Sequence, residues 1–331
     1  MDSSWIDRLA DVSVPEWEAV LSRSLRPTPF LSPSFLLPWA ALFTRDGESR
    51  IFRWERGGEA AGFLFLRRCP DAAEWELLGG EPVSDSLDAV VAAGCERDFW
   101  TAFLERATEL LGPGALLRLP NLVEGTPTLS LLPELCGRRG MACRVEETDR
   151  SPVLPLPGDF EEYLGRLGKK ERHELRRKLR RASELVPGLA YRVTPGAAEL
   201  GRDLDTFFSL LRSSQKEKEE FMDDRMERFF RDIAARFLSA GNLRLGFLSV
   251  GATDVATAFQ LEWNGSLLLY NSGFDPAFRR ISPGLVLLAR CIEEAIARGG
   301  REYDFLRGRE RYKYDLGGVD RVVYRATIGT R

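Results

Sequence analysis

The sequence predicts an α/β (α+β) protein of two similar domains, each a mixed twisted sheet flanked by helices, joined by a helical linker block. Three observations carry this prediction. A chain of 331 residues is long enough for two domains of ordinary size. The segment order β-β-β-loop-α-β-α-β occurs twice, with slight residue identity between the two occurrences. Between them lies a stretch of helical periodicity, and the Pro-rich run Pro152–Gly158 marks the boundary. The predicted domains are 1–155 and 156–331, the second divided into a helical block, 156–240, and a core, 243–328.

In the first half, Arg50–Arg56 and Ala60–Arg68 are apolar-rich and separated by Gly57-Gly58-Glu59, which reads as a hairpin. Glu74–Leu78 is a third strand, followed by a loop through Val91. The helix Arg97–Leu111 presents Phe99, Phe103, Ala107, Leu110 and Leu111 on one face and stops at Gly112-Pro113-Gly114. Leu116–Leu119 is a strand, Thr126–Gly140 a helix and Cys143–Glu147 a strand.

The linker block opens with Phe160, Tyr163, Leu164 and Leu167 on one helical face and continues into a basic stretch. The helices Leu200–Gln215 and Phe221–Ala240 follow. In the second half, Leu243–Val250 and Val255–Trp263 flank the turn Gly251–Asp254, and Leu267–Tyr270 follows the turn Asn264-Gly265. A helix spans Pro283–Arg298 and ends at Gly299-Gly300. Strands at Tyr303–Leu306 and Arg321–Ile328 complete the order, with a short polar segment between them.

Composition narrows the function classes. The net charge is −3, so a whole-protein attraction to nucleic acid or anionic membrane is not indicated. Five cysteines are scattered without a C-x-x-C pair, and the single histidine, His173, has no ligand-spaced neighbour; no metal site is expected. No apolar run reaches the length of a membrane span or a signal peptide, which makes a cytoplasmic protein the expectation.

The chemistry-bearing region is Phe278–Gly284 and the helix behind it. Ser282 is a suitable N-cap and Pro283 suits the first helical position. A helix N-terminus presents unpaired N–H groups and a positive dipole end; Gly284 permits close approach, and Arg279 and Arg280 add positive charge. These features fit an anion site, and they also fit an ordinary capped helix. On the strand Val255–Trp263, alternation puts Ala258, Gln260 and Glu262 on one face, with Glu262 a candidate base or else a solvated strand-end carboxylate. Asp304 lies mid-strand, where a bare carboxylate is costly, so it pairs with Arg307, Arg309 or Lys313 or faces a site.

Several runs resemble the GNAT acyltransferase superfamily, and more closely the CelD/BcsL-type acetyltransferases related to the FemABX peptidyltransferases. They are Leu269-Tyr270-Asn271-Ser272-Gly273-Phe274-Asp275-Pro276, Ser282-Pro283-Gly284, Tyr303-Asp304-Phe305-Leu306-Arg307-Gly308 and Tyr312-Lys313. Softer support comes from the basic run Arg176–Arg181 and from Pro29–Ser32 with Trp39. The resemblance implies two tandem GNAT-like domains, the first degenerate, and acetyl-CoA or another acyl-CoA held between Leu267–Tyr270 and Tyr303–Leu306. It implies a cofactor-binding set of Tyr270, Asn271, Arg279, Arg280, Ser282, Gly284 and Leu285. Glu262, Asp304 and Tyr312 are then the expected catalytic residues, with Tyr312 the acid, and Gln260, Arg307 and Lys313 the expected substrate contacts. The family's phosphate loop, [RQ]-x-x-G-x-[GA], is here Arg280-Ile281-Ser282-Pro283-Gly284-Leu285, with thinned glycines.

Three functions fit these readings: an acyl-CoA-dependent N-acyltransferase acting on an amine of a sugar, peptide or small molecule; a FemABX-like aminoacyl-tRNA-dependent transferase; and a non-catalytic binding protein on the same scaffold. The first carries an implied link to exopolysaccharide or cell-envelope metabolism. Nucleic acid enters only as tRNA, under the second. Nine Lys or Arg residues between Arg166 and Arg181 read either as a solvated helix face or as a patch for an anion. In the first half, the loop Gly79–Val91 carries Glu81, Asp85 and Asp88 and no arginine, a poor phosphate site that is expected to shape the acceptor cleft instead.

Overall fold

The computed structural model describes residues 2–69, 73–112, 114–214 and 216–329 and divides into two compact units. The first runs to Asp149 and takes in the chain from Arg321 onward; the second is Arg150–Asp320. Pro113 and Gln215, used above to end helices, lie outside the described residues. No helix among the described residues is long and apolar enough to cross a membrane.

In chain order the first unit contains β1 (Ser3–Ile6), α1 (Val14–Ser22), α2 (Pro33–Phe43), β2 (Ser49–Arg56), β3 (Glu59–Arg68), β4 (Glu74–Leu77) and β5 (Val90–Val91). It continues with α3 (Glu96–Arg106), β6 (Leu116–Val123), α4 (Thr128–Arg138) and the start of β7 (Ala142–Pro155). Gly57 and Gly58 have φ of 65° and 84°, the doubly left-handed turn that matches the twist of a two-residue hairpin. The core is aromatic, with Trp17, Trp54, Phe99 and Trp100 fully buried. Helix α1 went unassigned in the sequence although its start is signposted: Ser13 accepts from the N–H of Glu16 at 3.5 Å, three residues on.

The second unit adds α5 (Phe160–Arg166), α6 (Lys169–Leu185), β8 (Leu189–Val193), α7 (Ala197–Ser214), α8 (Lys216–Phe221) and α9 (Asp224–Ser239). Then come β9 (Leu243–Val250), β10 (Thr253–Trp263), β11 (Ser266–Phe274), α10 (Pro283–Ala297), β12 (Glu302–Asp304) and α11 (Arg311–Asp315), before β13 (Val319–Gly329). The sheet order within this unit is β7-β12-β11-β10-β9-β8. Helices α5, α6 and α10 share one core, built of Tyr163, Leu175, Ala256, Ala258, Leu269 and Ile292. Phe259, alternating with those alanines, faces the other way and meets Phe207 of α7 and Phe230 of α9.

The repeated topology is visible strand by strand. In the first unit β4 pairs in parallel with β6, Glu74–Glu76 against Leu116–Arg118; in the second β11 pairs in parallel with β12, Ser266–Leu268 against Glu302–Asp304. Past each short parallel pairing stands a non-glycine residue at positive φ, Asn121 at 56° and Leu306 at 57°.

The final strand departs from the domain boundaries expected above. β13 pairs antiparallel with β6, from Val323↔Val123 to Gly329↔Leu116, and so belongs to the first unit. The place beside β12 is taken by the end of β7, Val153↔Asp304 to Pro155↔Glu302. Residue alternation tells which face of a strand is buried and is silent on its neighbour. That is why the Pro-rich boundary run turned out to be largely strand.

Candidate active site

Pairing between β11 and β12 stops at Leu268↔Asp304, while β11 runs on to Phe274. The two parallel strands therefore part, leaving an open edge on β11. The divergence begins at a bulge: Gln260 opposes Leu269 and Phe259 opposes Asn271, so Tyr270 is the extra residue. A bulge bends and twists its strand and re-aims side chains. The Tyr270 ring stacks on Phe230 with centroids 5.2 Å apart, which anchors the bulge to α9. Asn271 accepts the N–H of Ser272 at 2.9 Å. Gly273 is required by the same geometry: a Cβ there would lie 2.6 Å from the Cα of Leu211, because α7 crosses β11 at that point.

Beyond β11 the chain forms a 3-10 helix, Pro276–Ile281, opened by Asp275, whose carboxylate accepts the N–H of Ala277 at 2.8 Å. Ser282 then adopts φ 52°, ψ 54°, and its side chain makes no capping bond, contrary to the expected N-cap. Pro283 sits at the start of α10 as expected. The first bond into the helix is from Val286 to the carbonyl of Ser282, and the N–H groups of Gly284 and Leu285 find no acceptor among the described residues. Arg279 and Arg280 are exposed and make no ion pair among the described residues. Gly284 makes room for the ring of Phe274, 3.3 Å from where its Cβ would be.

The other wall follows β12. Asp304 is buried and accepts from the N–H of Leu306 at 2.8 Å and the hydroxyl of Ser151 at 3.2 Å. Lys313 is 2% exposed, and its ammonium donates to the carbonyls of Leu306, Arg307 and Gly308 at 3.0, 2.6 and 3.3 Å. A carboxylate oxygen of Glu310 lies 2.9 Å away. All the donors of Lys313 are thus spent on the turn that carries Arg307. Lys313 is a clamp on this wall, in place of the substrate contact expected. Tyr312 is half-buried beside Phe305, and burial, reinforced by the charge of Glu310, pushes its phenol well above the usual range. It keeps its proton.

Two expected site residues lie elsewhere. Gln260 is fully buried under α10, accepting from the Tyr303 hydroxyl at 2.7 Å and facing Cys291 at 3.3 Å. Its amide belongs to the core. Glu262 sits beside Leu267 at the far end of β11 and pairs with Arg298, at the C-terminal end of α10, at 2.8 Å. A catalytic base for chemistry at the parted strands would have to be at the opposite end of the strand. Alternation correctly put both on one face; it could not tell that α10 covers that face.

A residue missed in the sequence stands at the site instead. Lys218 of α8 donates to the carbonyl of Ser272 on the open edge of β11. Burial pushes its ammonium down to about 8, with Glu310 pulling it up and Lys313 pushing it further down. The segment Lys216–Phe221 is too short and too charged to show an apolar period, so no pattern called attention to it.

Helix α6 buries Leu175 and Ala182, and Glu174 and Glu161 pair with Arg177 and Arg176 at 2.7 and 2.5 Å. His173 is exposed. Lys169, Lys170 and Arg181 make no ion pair among the described residues. The helix packs beside the 3-10 segment and α10, and Lys170 and Lys178 line a pocket with Leu285, Arg311 and Leu316. In the first unit the equivalent gap between β4 and β6 is filled by the chain itself. Leu87 donates to Asn121, and the Asn121 amide donates to the carbonyls of Glu81 and Ser84.

Residues 169–314 match the family model of the acetyltransferase (GNAT) domain. Over nearly its whole length the chain resembles solved structures of that architecture. FemX gives a TM-score of 0.69 at 12% identity, covering 98% of this chain and 97% of that one. The C-terminal domain of a putative lysylphosphatidylglycerol synthetase from Agrobacterium fabrum gives 0.63 at 13%, covering 95% and 91%. A tandem GNAT protein from the clavulanic acid biosynthesis pathway gives 0.52 at 12%, covering 100% and 99%. A search of curated protein sequences finds no match. The chain has the tandem GNAT fold.

Proposed function

We propose that this protein is an acyl-CoA-dependent N-acyltransferase, transferring an acyl group, acetyl in the first instance, to an amine of a sugar, peptide or small molecule. The observation that carries this reading is the start of α10. Two N–H groups without acceptors, those of Gly284 and Leu285, lie beside two arginines without partners, Arg279 and Arg280, next to the parted strands. Such an arrangement suits a pyrophosphate, since donors and the helix dipole point at one anion. A pantetheine chain leading from it would run along the open edge of β11, past the stretch that β12 has left.

Transfer from a thioester needs a polarised carbonyl, a neutral amine and a proton for the leaving thiolate. On this reading the thioester lies along the edge beyond the Tyr270 bulge, and Asp304 and Lys313 hold the facing wall. Tyr312 closes the wall as a neutral phenol.

The reading predicts a thermal upshift with acetyl-CoA or free CoA that follows ligand concentration over affinity. Replacing Arg279 and Arg280 together by Ala should weaken CoA binding about 10- to 100-fold, the two exposed guanidinium contacts together contributing about 1.4–2.8 kcal/mol. Unchanged binding in that variant, or no shift in the wild type, would sink the reading. A tRNA donor is the second reading, favoured by the unpaired Lys169, Lys170 and Arg181 on α6. It predicts a tRNA shift that falls steeply with salt and is lost when those three become Ala.

A further inference from the structure

Helix α8 has no apolar face of its own, yet Lys218 turns inward to the carbonyl of Ser272. Ser272 lies on the stretch of β11 that has left β12, and its N–H is taken by Asn271. Both backbone groups of Ser272 thus meet side chains in place of a strand. Across the gap stand Glu310 and Lys313, the charged groups whose fields reach Lys218 from the facing wall. An ammonium has three donors. Only the bond to Ser272 is made here, the other two donors meeting no acceptor among the described residues. Lysines ordinarily lay the stem on the surface and keep the ammonium in water. Turning one into a half-buried gap to satisfy a single carbonyl is a poor structural use of it.

We propose that Lys218 is a catalytic residue of this site, carrying a proton from the attacking amine to the departing thiol. The proposal rests on the acyl-CoA reading. The acceptor nitrogen forms a bond to the thioester carbonyl carbon, and the C–S bond breaks with its electron pair leaving on sulfur. The proton lost by the nitrogen passes to the neutral Nζ of Lys218 and then to the thiolate, so that amide, thiol and free Lys218 remain and no other reactant is needed. The ammonium, lowered by burial to about 8, is close to an ordinary thiol, about 8.5, so the proton moves in either direction at little cost.

Two measurements test this on the full-length protein. In the first, trace acetylation by N-hydroxysuccinimidyl acetate is followed by peptide mass spectrometry with and without CoA. CoA should lower labelling of Lys218 at least about fivefold relative to Lys216, and Arg279→Ala/Arg280→Ala should abolish that protection. In the second, thiol release from acetyl-CoA is followed with 2-aminoethanol as the amine. Lys218→Met should lower kcat about 100-fold while leaving CoA affinity within about twofold. Lys218→Arg, which keeps the charge and cannot give up its proton, should not rescue it. A lysine acting as base must first lose its proton, so the ratio of wild-type to Lys218→Met rates should rise as pH passes about 8. Taking the ratio cancels the titration of 2-aminoethanol. CoA binding without protection of Lys218, an unchanged kcat in Lys218→Met, or full rescue by Arg overturns the shuttle and leaves the acyl-CoA reading standing. Failure of CoA to bind overturns that reading and the shuttle with it.

Discussion

Lys313 is a cation enclosed by three carbonyls and one carboxylate, and it shows how a charged side chain can serve geometry alone. Leu306 is held at φ 57°, a conformation costly for a branched residue, and the ammonium below and Asp304 above fix it there. Lys313→Met would leave those carbonyls without their donor and should cost about 3 kcal/mol, read as a lower denaturant midpoint. Lys313→Arg should fail to restore it, because a planar fork does not fit a three-carbonyl cup. From the sequence, Asp304 was legible as a charge that needs partners, and Lys313 as one candidate for that role or as a substrate contact. Most of the partners they take were not, because the Leu306 N–H and the carbonyls of Leu306, Arg307 and Gly308 are main-chain groups presented by a turn that no residue type announces. Glu262 failed for the complementary reason: its exposure at a strand end was readable, and its distance from the parted strands depended on which way β11 runs beside it.

Helix α7 and strand β11 touch at a point where neither has atoms to spare. A methyl group at Gly273 would come within 2.6 Å of the Leu211 Cα and 2.7 Å of the Leu210 carbonyl, so relief requires moving a helix rather than a side chain. Gly273→Ala should therefore destabilise the protein by about 1–3 kcal/mol and shift α7, with α8 behind it, away from the strand. Urea unfolding measures the first effect. Loss of the CoA-induced thermal shift, or of transfer activity, measures the second. The helices and hairpins of this unit were largely readable, since Asn264-Gly265, Pro283 and Gly299 are strong punctuation. Helix α8 was not readable: its charged and aromatic residues form no apolar period.

At the scale of the whole chain, the order of strands along the sequence differs from their order in space. The first unit takes its last strand from the far end of the chain, and β7 passes from one unit to the other without a break. A protein truncated after Asp320 should lose the fold of its first unit, because β6 would be left with a bare apolar edge. Six of the seven tryptophans lie in that unit, Trp263 being the exception, so a loss of near-UV circular dichroism would report it. Retention of the wild-type spectrum would refute it. The repeat was legible in the sequence because each copy keeps its own rhythm of strand and helix. The exchange of last strands was not, because alternation marks the buried face of a strand and leaves its neighbour open.

That exchange also fixes when the protein can fold. The bond from Val322 to Glu124 joins residues 198 apart, and closing so long a loop makes for a slow step. During synthesis the β6 edge of the first unit stays unpaired until β13, Val319–Gly329, has left the ribosome. The first unit is therefore completed only after the whole of the second has been made, and through that interval its β6 edge is exposed to wrong pairing.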